Sequence, residues 1–225
     1  MLEANCPNCG AEIRFRSADL PVKVCAYCRS SVVREGESLK AVGRIAEVPE
    51  DVSPLQIGVR GRDGALGFEL IGRVRWRWTD GGWNEWLMLF DDGSIGWLGE
   101  AMGRYMLLRQ IAHSGFRTDM VRKLRDGHPV TVGTEATIDG IQYRVTDVKE
   151  ATCAGGEGEL PYSAPLGLTI ASVDLMAADG HCASAQKDQG VGEVSVYTGR
   201  YVSLADLRAS GLRAFEGWPM PQFAA

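Results

Sequence analysis

Four cysteines near the start of the chain have the spacing of a metal-binding site. They form two Cys-x2-Cys pairs, and fifteen residues separate one pair from the other. Two thiolates at this spacing can bind one ion from a tight turn, and a hairpin brings the second pair alongside to complete a tetrahedron. The sequence therefore predicts a zinc ribbon with a structural Zn²⁺, whose ligands are Cys6, Cys9, Cys25 and Cys28. Four thiolates leave no open coordination position for catalysis.

Two disulfides or a redox-active dithiol are the alternatives for these cysteines. The first residues contain neither a basic region nor an apolar stretch, so we expect no export signal, which argues against disulfides and predicts a cytoplasmic protein. Ile13 and Phe15 alternate with charged residues, and Val22 and Val24 flank Lys23, as is typical of short strands. Two cysteine pairs in a strand-rich segment favour a metal site over a redox dithiol, for which one pair is enough.

The two remaining cysteines, Cys153 and Cys182, lie far from this motif. Because His181 precedes Cys182, a second metal site and a Cys–His nucleophile are both alternatives. Neighbouring residues of a strand point to opposite faces, which argues against the two acting together. We therefore interpret both cysteines as buried or incidental thiols.

Glu85 and Glu159 lie in otherwise apolar segments, so each needs a polar partner if it is buried. Arg104 and Arg200 belong to the same repeated units, described below, and are the expected partners. One interpretation is that these are structural pairs. The other is that a glutamate binds a ligand or acts as a catalytic acid. We favour the structural role, because an architectural requirement recurs with each copy of a repeat.

Five of the six tryptophans lie between Trp76 and Trp97. Trp76 and Trp78 occupy one face of a predicted strand and are expected in a core. Trp83, Trp86 and Trp97 are candidates for the rim of a recognition surface, since tryptophan is enriched at interfaces. A core role for most of the cluster is the favoured alternative.

Arg73, Arg75 and Arg77 line one face of the same strand and are the basic part of this candidate surface. Basic residues beside aromatic ones suit single-stranded nucleic acid. Acidic residues follow at once and offset that charge, so we favour a solvated strand face.

The part of the chain after residue 55 contains repeated sequence, which indicates a tandem duplication. The matched segments are residues 68–74 with 143–148, 83–87 with 157–160, 92–93 with 179–180, and 103–105 with 199–201. Each match is weak, and the argument depends on their common order.

Alternating apolar and polar residues predict a mainly β fold. We expect an N-terminal zinc ribbon followed by two small, duplicated antiparallel β domains, barrel-like, with short helices at 119–125 and 204–209. The predicted boundaries are residues 1–37 for the ribbon, 38–54 for a linker, 55–117 for the first β repeat, 118–218 for the second repeat with insertions, and 219–225 for a tail.

The composition excludes several classes of protein. With 225 residues, 45% of them hydrophobic and 24% charged, the chain is an ordinary globular protein rather than a disordered one. No apolar run approaches the ~20 residues that a membrane-spanning helix needs. A net charge of −5 argues against a general nucleic-acid binder.

These motifs together resemble an uncharacterised bacterial family, the domain of unknown function numbered 4178. The likeness rests on the cysteine pairs at 6–9 and 25–28, Trp-Asn-Glu-Trp at 83–86, the Asp-Gly turn at 92–93 with Trp-Leu at 97–98, Glu-Gly-Glu-Leu-Pro at 157–161, and Gly-Arg-Tyr at 103–105 and 199–201. It implies tandem copies of that domain behind a ribbon. It implies no reaction, because the family has no established activity. The second copy has Gly158 and Leu160 where the first has Asn84 and Trp86, so the copies do not share any role of the tryptophans.

Three functional hypotheses result. The favoured one is a non-enzymatic adaptor that binds a protein partner, and the family resemblance adds a membrane-associated partner as one option. The second is a nucleic-acid-binding ribbon protein, which needs a continuous basic surface joining the ribbon arginines to Arg73, Arg75 and Arg77. The third is an enzyme with Glu85, Glu159 or the His181 region in a pocket.

Overall fold

The computed structural model describes residues 2–36, 38–45, 51–112, 118–165 and 167–216. Residues 46–50 of the predicted linker and the predicted tail at 219–225 lie outside these ranges. The elements of the described residues are β1 (Leu2–Asn5), β2 (Glu12–Phe15), β3 (Val22–Val24), β4 (Ser30–Glu35), β5 (Ser38–Arg44), β6 (Arg60–Asp63), β7 (Leu66–Trp78), β8 (Gly81–Phe90), β9 (Ile95–Ala101), β10 (Arg104–Gln110), α1 (Asp119–Arg125), β11 (Glu135–Ile138), β12 (Ile141–Leu160), β13 (Thr169–Ala177), β14 (His181–Asp188) and β15 (Val194–Val202).

The prediction of a mainly β protein is confirmed, and so is the helix at 119–125. Thr118 caps this helix by accepting a hydrogen bond from the backbone N–H of Val121. The helix predicted at 204–209 is wrong. Ser203 and Asp206 do form the reciprocal hydrogen bonds of a helix start, but the chain continues as turns, with Arg208 at a φ of 46°. A local start signal does not extend a helix without packing that favours it.

Eight strands pair in a closed antiparallel circuit. The order is β7-β8-β9-β10-β15-β14-β13-β12, and β12 then pairs with β7. The circuit consists of two four-stranded meanders, β7 to β10 and β12 to β15. One seam between them joins β10 to β15 over residues 105–110 and 197–202. The other joins β7 to β12 over residues 72–77 and 152–158.

The two predicted repeats therefore share one sheet instead of forming separate β domains. Residues 68–74 and 143–148 begin the two meanders, and the two Asp-Gly turns both join a second strand to a third, so these matches correspond. The other two matches do not, because 83–87 lies in β8 while 157–160 ends β12, and 103–105 begins β10 while 199–201 ends β15. The duplication stays a prediction.

The strand β12 closes the circuit by turning a corner. Its first half pairs with β13 and its second half with β7, with an irregular register between Cys153 and Gly155. Glycine permits this close crossing, because a Cβ on Gly72 would lie 1.8 Å from the carbonyl oxygen of Glu159. Gly158 opposite it has a φ of +74°.

Both faces of the closed sheet are buried over much of its area. Inward-facing residues, among them Val74, Trp76 and Leu87, form the interior cluster. The outer face of β12 to β15 packs on α1 through Met120. The outer face of the first meander packs on two peripheral segments, at residues 55–59 and 204–209. Burial on both faces explains why β7 and β8 lack a clean apolar-polar alternation.

The N-terminal ribbon covers one end of the circuit. Its strand β3 continues the sheet by pairing with the end of β12. Leu20, Val22 and Val24 join the interior cluster at this end. The ribbon is thus part of the same core. No helix in the described part of the chain is long and apolar enough to cross a membrane.

Candidate metal centre and interior cavity

The four N-terminal cysteines converge on one point. Their sulfur atoms all lie within 4.8 Å of one another. The Sγ atoms of Cys6 and Cys28 are 3.7 Å apart, and those of Cys9 and Cys25 are 3.8 Å apart. A tetrahedron with Zn–S bonds of about 2.3 Å has edges of about 3.8 Å. The arrangement thus fits a tetrahedral metal ion, as the spacing predicts.

Two similar backbone turns position these thiolates. In each turn the residue four positions after the first cysteine donates its N–H to that cysteine's carbonyl oxygen: Gly10 to Cys6, and Arg29 to Cys25. Gly10 has a φ of 77°, which favours glycine. The second turn lacks that glycine, and Arg29 adopts the same left-handed region at a φ of 60°.

The remaining cysteines do not form a second centre. Cys153 and Cys182 are buried inside the circuit. His181 points the other way and pairs with Asp179, 3.0 Å from Nδ1 to Oδ2. Among the residues that the structure describes, no second group of three or more His, Cys, Asp or Glu side chains converges.

The closed circuit encloses a cavity of about 260 Å³. Side chains or backbone of all eight strands line it, and its lining residues all belong to the part of the chain between Trp78 and Tyr201. Its walls combine aromatic rings with polar groups that point inward from consecutive strands, namely Trp78, Trp83, Trp97 and Tyr197 with Glu85, Lys149, Asp174 and Gln186.

Glu85 is a buried acid of this cavity, with 8% of its surface exposed. Both oxygens accept hydrogen bonds, one from the indole N–H of Trp76 at 2.9 Å and the other from Trp83 at 3.0 Å and Gln186 at 2.6 Å. Burial raises the pKa of this carboxyl group, and the three donors oppose that shift. All three hydrogen-bond donors to the Glu85 carboxylate are therefore uncharged groups.

Asp174 is another acid that lines the cavity. Burial raises its pKa to about 6, and the nearby charges of Asp147 and Glu85 act in the same direction. A hydrogen bond from Ser184 and the charge of Lys149 oppose the shift. At neutral pH the group is therefore mostly ionised.

The predicted recognition surface does not exist as one exposed face. Trp86 and Trp97 are buried, while Trp83 is half-buried at the cavity. Trp86 faces outward on β8 but is covered by Arg73, whose guanidinium lies 4.5 Å from the centre of its ring. Closure of the sheet turns Trp97 inward, which its sequence did not indicate.

The predicted basic strand face is also wrong as a continuous surface. Arg73 is 5% exposed and donates from Nε to the Asn84 side chain at 3.0 Å. Asp51 forms ion pairs with both Arg73 and Arg75. Only Arg77 of this set is exposed. The linker segment that carries Asp51 covers part of the strand, and Asp51 offsets part of its charge.

The predicted structural pairs have other partners. Arg104 lines the cavity mouth, and its guanidinium lies 4.6 Å from the ring centre of Tyr201 rather than against Glu85. Arg200 binds Asp63 at 2.5 Å from Nη2 to Oδ1.

Glu159 fastens the ribbon to the sheet. It is fully buried and accepts the backbone N–H groups of Arg16 at 2.8 Å and Ser17 at 3.0 Å, together with Lys23 Nζ at 3.2 Å. Its partners lie in the ribbon, whereas Arg200 was the expected partner.

Sequence reasoning missed Asp147, Lys149, Asp174, Ser184 and Gln186 as cavity residues. A signal was present, because polar residues two apart in apolar strands point to the same face. On β13 and β14 such residues mark an interior that is not filled by apolar side chains.

A comparison with protein families matches residues 56–204 to the domain of unknown function DUF4178. No curated protein and no solved structure matched significantly. The family match is single and continuous, so it spans both meanders and does not recur as tandem copies. It covers about two thirds of the chain. The chain therefore belongs to the DUF4178 family, and a cluster of four cysteines precedes the family domain.

Proposed function

We propose that the family domain of this protein binds a small molecule inside the closed sheet. The observation that carries the proposal is the cavity of about 260 Å³, lined from all eight strands by polar and aromatic groups. A closed sheet of this strand number either fills its interior with side chains or holds one small ligand. The volume is slightly below the ~300 Å³ at the lower end of common ligand pockets, which favours a small ligand.

Buried polar groups in this interior support binding over simple packing. Glu85, Asp174 and Gln186 occupy inward positions at which apolar residues would stabilise the domain more. Groups of this kind, convergent in a mainly apolar pocket with shifted pKa values, are typical of binding sites. The adaptor and nucleic-acid hypotheses rested on tryptophans and arginines that are mostly buried or paired.

We propose that the ribbon holds zinc and that the ion is structural. The sulfur separations of 3.7 and 3.8 Å support a tetrahedral ion of that size. Four protein ligands leave the ion no position for substrate. Its contribution is to keep the ribbon folded, so that Leu20, Val22 and Val24 can cover their end of the interior.

The binding proposal is tested by filling the cavity. Gly99 lines it, and a Cβ at this position has no neighbour closer than 3.7 Å, so Gly99→Leu adds bulk without a backbone clash. Ala178→Leu adds similar bulk at an exposed turn and is the matched control. A chemically diverse set of small molecules is screened for a rise in melting temperature with the full zinc-loaded chain.

We expect compounds that raise the melting temperature of the natural protein and of Ala178→Leu but not of Gly99→Leu. A hit that stabilises Gly99→Leu equally binds elsewhere. The absence of any hit for the natural protein, in a set that spans cations, anions and neutral compounds, would overturn the proposal.

A further inference from the structure

Resting on the proposed function, we infer that the ligand of the interior cavity is an organic cation, with its ammonium group placed between Glu85 and Asp174 and against the aromatic wall. The inference concerns the charge and class of the ligand, which neither the fold nor the family match indicates. It follows from how charges are distributed along the cavity.

Four acids line the cavity, and two of them, Glu85 and Asp174, form no ion pair among the described residues. The donors to Glu85 are two indole N–H groups and the Gln186 amide, and the donor to Asp174 is the Ser184 hydroxyl. These neutral donors satisfy hydrogen bonding but do not neutralise charge. Both carboxyl groups are desolvated, and the charge of Glu85 acts on Asp174.

The cations of the cavity are already engaged. Lys149 forms an ion pair with Asp147, and its ammonium group lies 5.1 Å from the ring centre of Trp78. Arg104 stacks on Tyr201 at the mouth. A positive ligand group would thus meet unneutralised acids in the interior, whereas an anion would add a further like charge beside them.

The aromatic wall favours the same class of ligand. Trp78 and Trp83 pack with ring centres 5.6 Å apart, and both line the cavity with Trp97 and Tyr197. The faces of aromatic rings attract cations, most strongly where water is excluded, and aromatic walls with a nearby carboxylate bind ammonium ions. Lys149 above Trp78 shows that these rings already accept a cation.

A bare metal ion fits the cavity less well. Within the described residues, the only group of three or more metal-binding side chains in reach of one ion is the cysteine cluster of the ribbon. The apolar walls would also leave most coordination positions of a small ion unfilled. An organic cation instead uses both the carboxylates and the rings.

The test uses three probes with one aromatic core and different charges: benzylamine, benzyl alcohol and benzoate. Binding to the full zinc-loaded chain is measured by calorimetry at pH 7.5, where Asp174 is ionised because its pKa is about 6. Benzyltrimethylammonium is measured alongside, since it retains the charge without hydrogen-bond donors. The variants are Glu85→Gln and Asp174→Asn, and Glu150→Gln removes the same charge from the exposed outer face of β12 as a control.

We expect at least one of the two ammonium probes to bind about tenfold or more tighter than benzyl alcohol, with benzoate weakest. Asp174→Asn should weaken that probe about tenfold, and Glu150→Gln should change it less than twofold. If Glu85→Gln fails to fold, Asp174→Asn and the comparison of probes still decide the matter.

Equal or tighter binding of benzyl alcohol or benzoate in the cavity would overturn the inference and leave the binding function intact. Failure of both ammonium probes, while other compounds give hits that Gly99→Leu abolishes, would do the same. If no compound of any class binds, the proposed function fails as well.

Discussion

Replacing Asp174 by Asn should make the ligand-free protein more stable at neutral pH. The carboxyl group has a pKa of about 6 in the folded protein against a usual value of 3.8. Folding therefore raises its pKa, so that above about pH 6 the ionised form is held in an environment that disfavours it. A shift of about two units corresponds to about 3 kcal/mol of unfolding free energy. Because the side chain reaches solvent through the cavity, we expect a gain of about 1–2 kcal/mol from the neutral amide.

The gain should depend on pH in a defined direction. A raised carboxyl pKa means that the folded protein binds more protons than the unfolded chain between about pH 4 and pH 6. The natural protein thus loses this part of its stability as the pH rises through that window. The advantage of Asp174→Asn should be largest at pH 7.5 and about half as large at pH 5.

Urea unfolding of both proteins at pH 7.5 and pH 5 measures this effect. Acid also weakens zinc binding by thiolates, so the quantity compared is the difference between variant and natural protein at each pH. For a chain of this length, 1 kcal/mol corresponds to about 2–4 °C in melting temperature, which gives a second readout. Asp80→Asn, in an exposed turn, is the control and should change stability little.

An unchanged or reduced stability of Asp174→Asn at pH 7.5 would refute the reasoning, and so would a gain of equal size at both pH values. Either result would mean that the cavity already neutralises this carboxylate. The ammonium inference would then lose one of its two acids.

Three further predictions concern the closure of the sheet and the ribbon. Gly72→Ala should destabilise the protein by several kcal/mol, because its Cβ would lie 1.8 Å from a carbonyl oxygen. Gly99→Ala is the control and should be tolerated, because its Cβ would have no neighbour closer than 3.7 Å. Thermal unfolding compares the two variants, and similar melting temperatures would contradict the closure geometry. Glu159→Gln should lower the free energy of unfolding by about 3 kcal/mol and speed amide hydrogen exchange in the ribbon. Glu150→Gln is the control and should change neither the stability nor the exchange rates. Unchanged hydrogen exchange in the ribbon of Glu159→Gln would contradict the docking role of this residue. Cys9→Ser should lose zinc by elemental analysis and weaken any cavity ligand, and retention of one full equivalent of zinc would contradict the site.

Local sequence was sufficient for the ribbon and for many of the strands. Two cysteines separated by two residues converge through the geometry of one turn, so the spacing alone predicts the site that the four sulfur atoms form. Alternation of side chains along β2 and β3 is likewise a property of a single strand. The helix at 119–125 has its cap, Thr118, directly before it in sequence.

The burial and the hydrogen-bond partners of the arginines and glutamates depend on contacts between segments that are distant in sequence. Arg73 is buried because the chain near Asp51 folds over it, and Glu159 is satisfied by backbone groups of the ribbon more than a hundred residues away. The prediction that paired Glu85 with Arg104 and Glu159 with Arg200, from their positions in the repeats, gave partners that differ from those in the structure. Sequence proximity contains no information on which distant segment neutralises a charge.

The sequence by itself determined the mainly β character of this protein and its four-cysteine centre. Only the tertiary structure decided that two meanders close on each other and leave an acidic, aromatic cavity between them. The reason is that an alternating strand specifies two faces but not which one turns inward. That choice is made when β7 pairs with β12 and β10 pairs with β15, across more than seventy residues of chain.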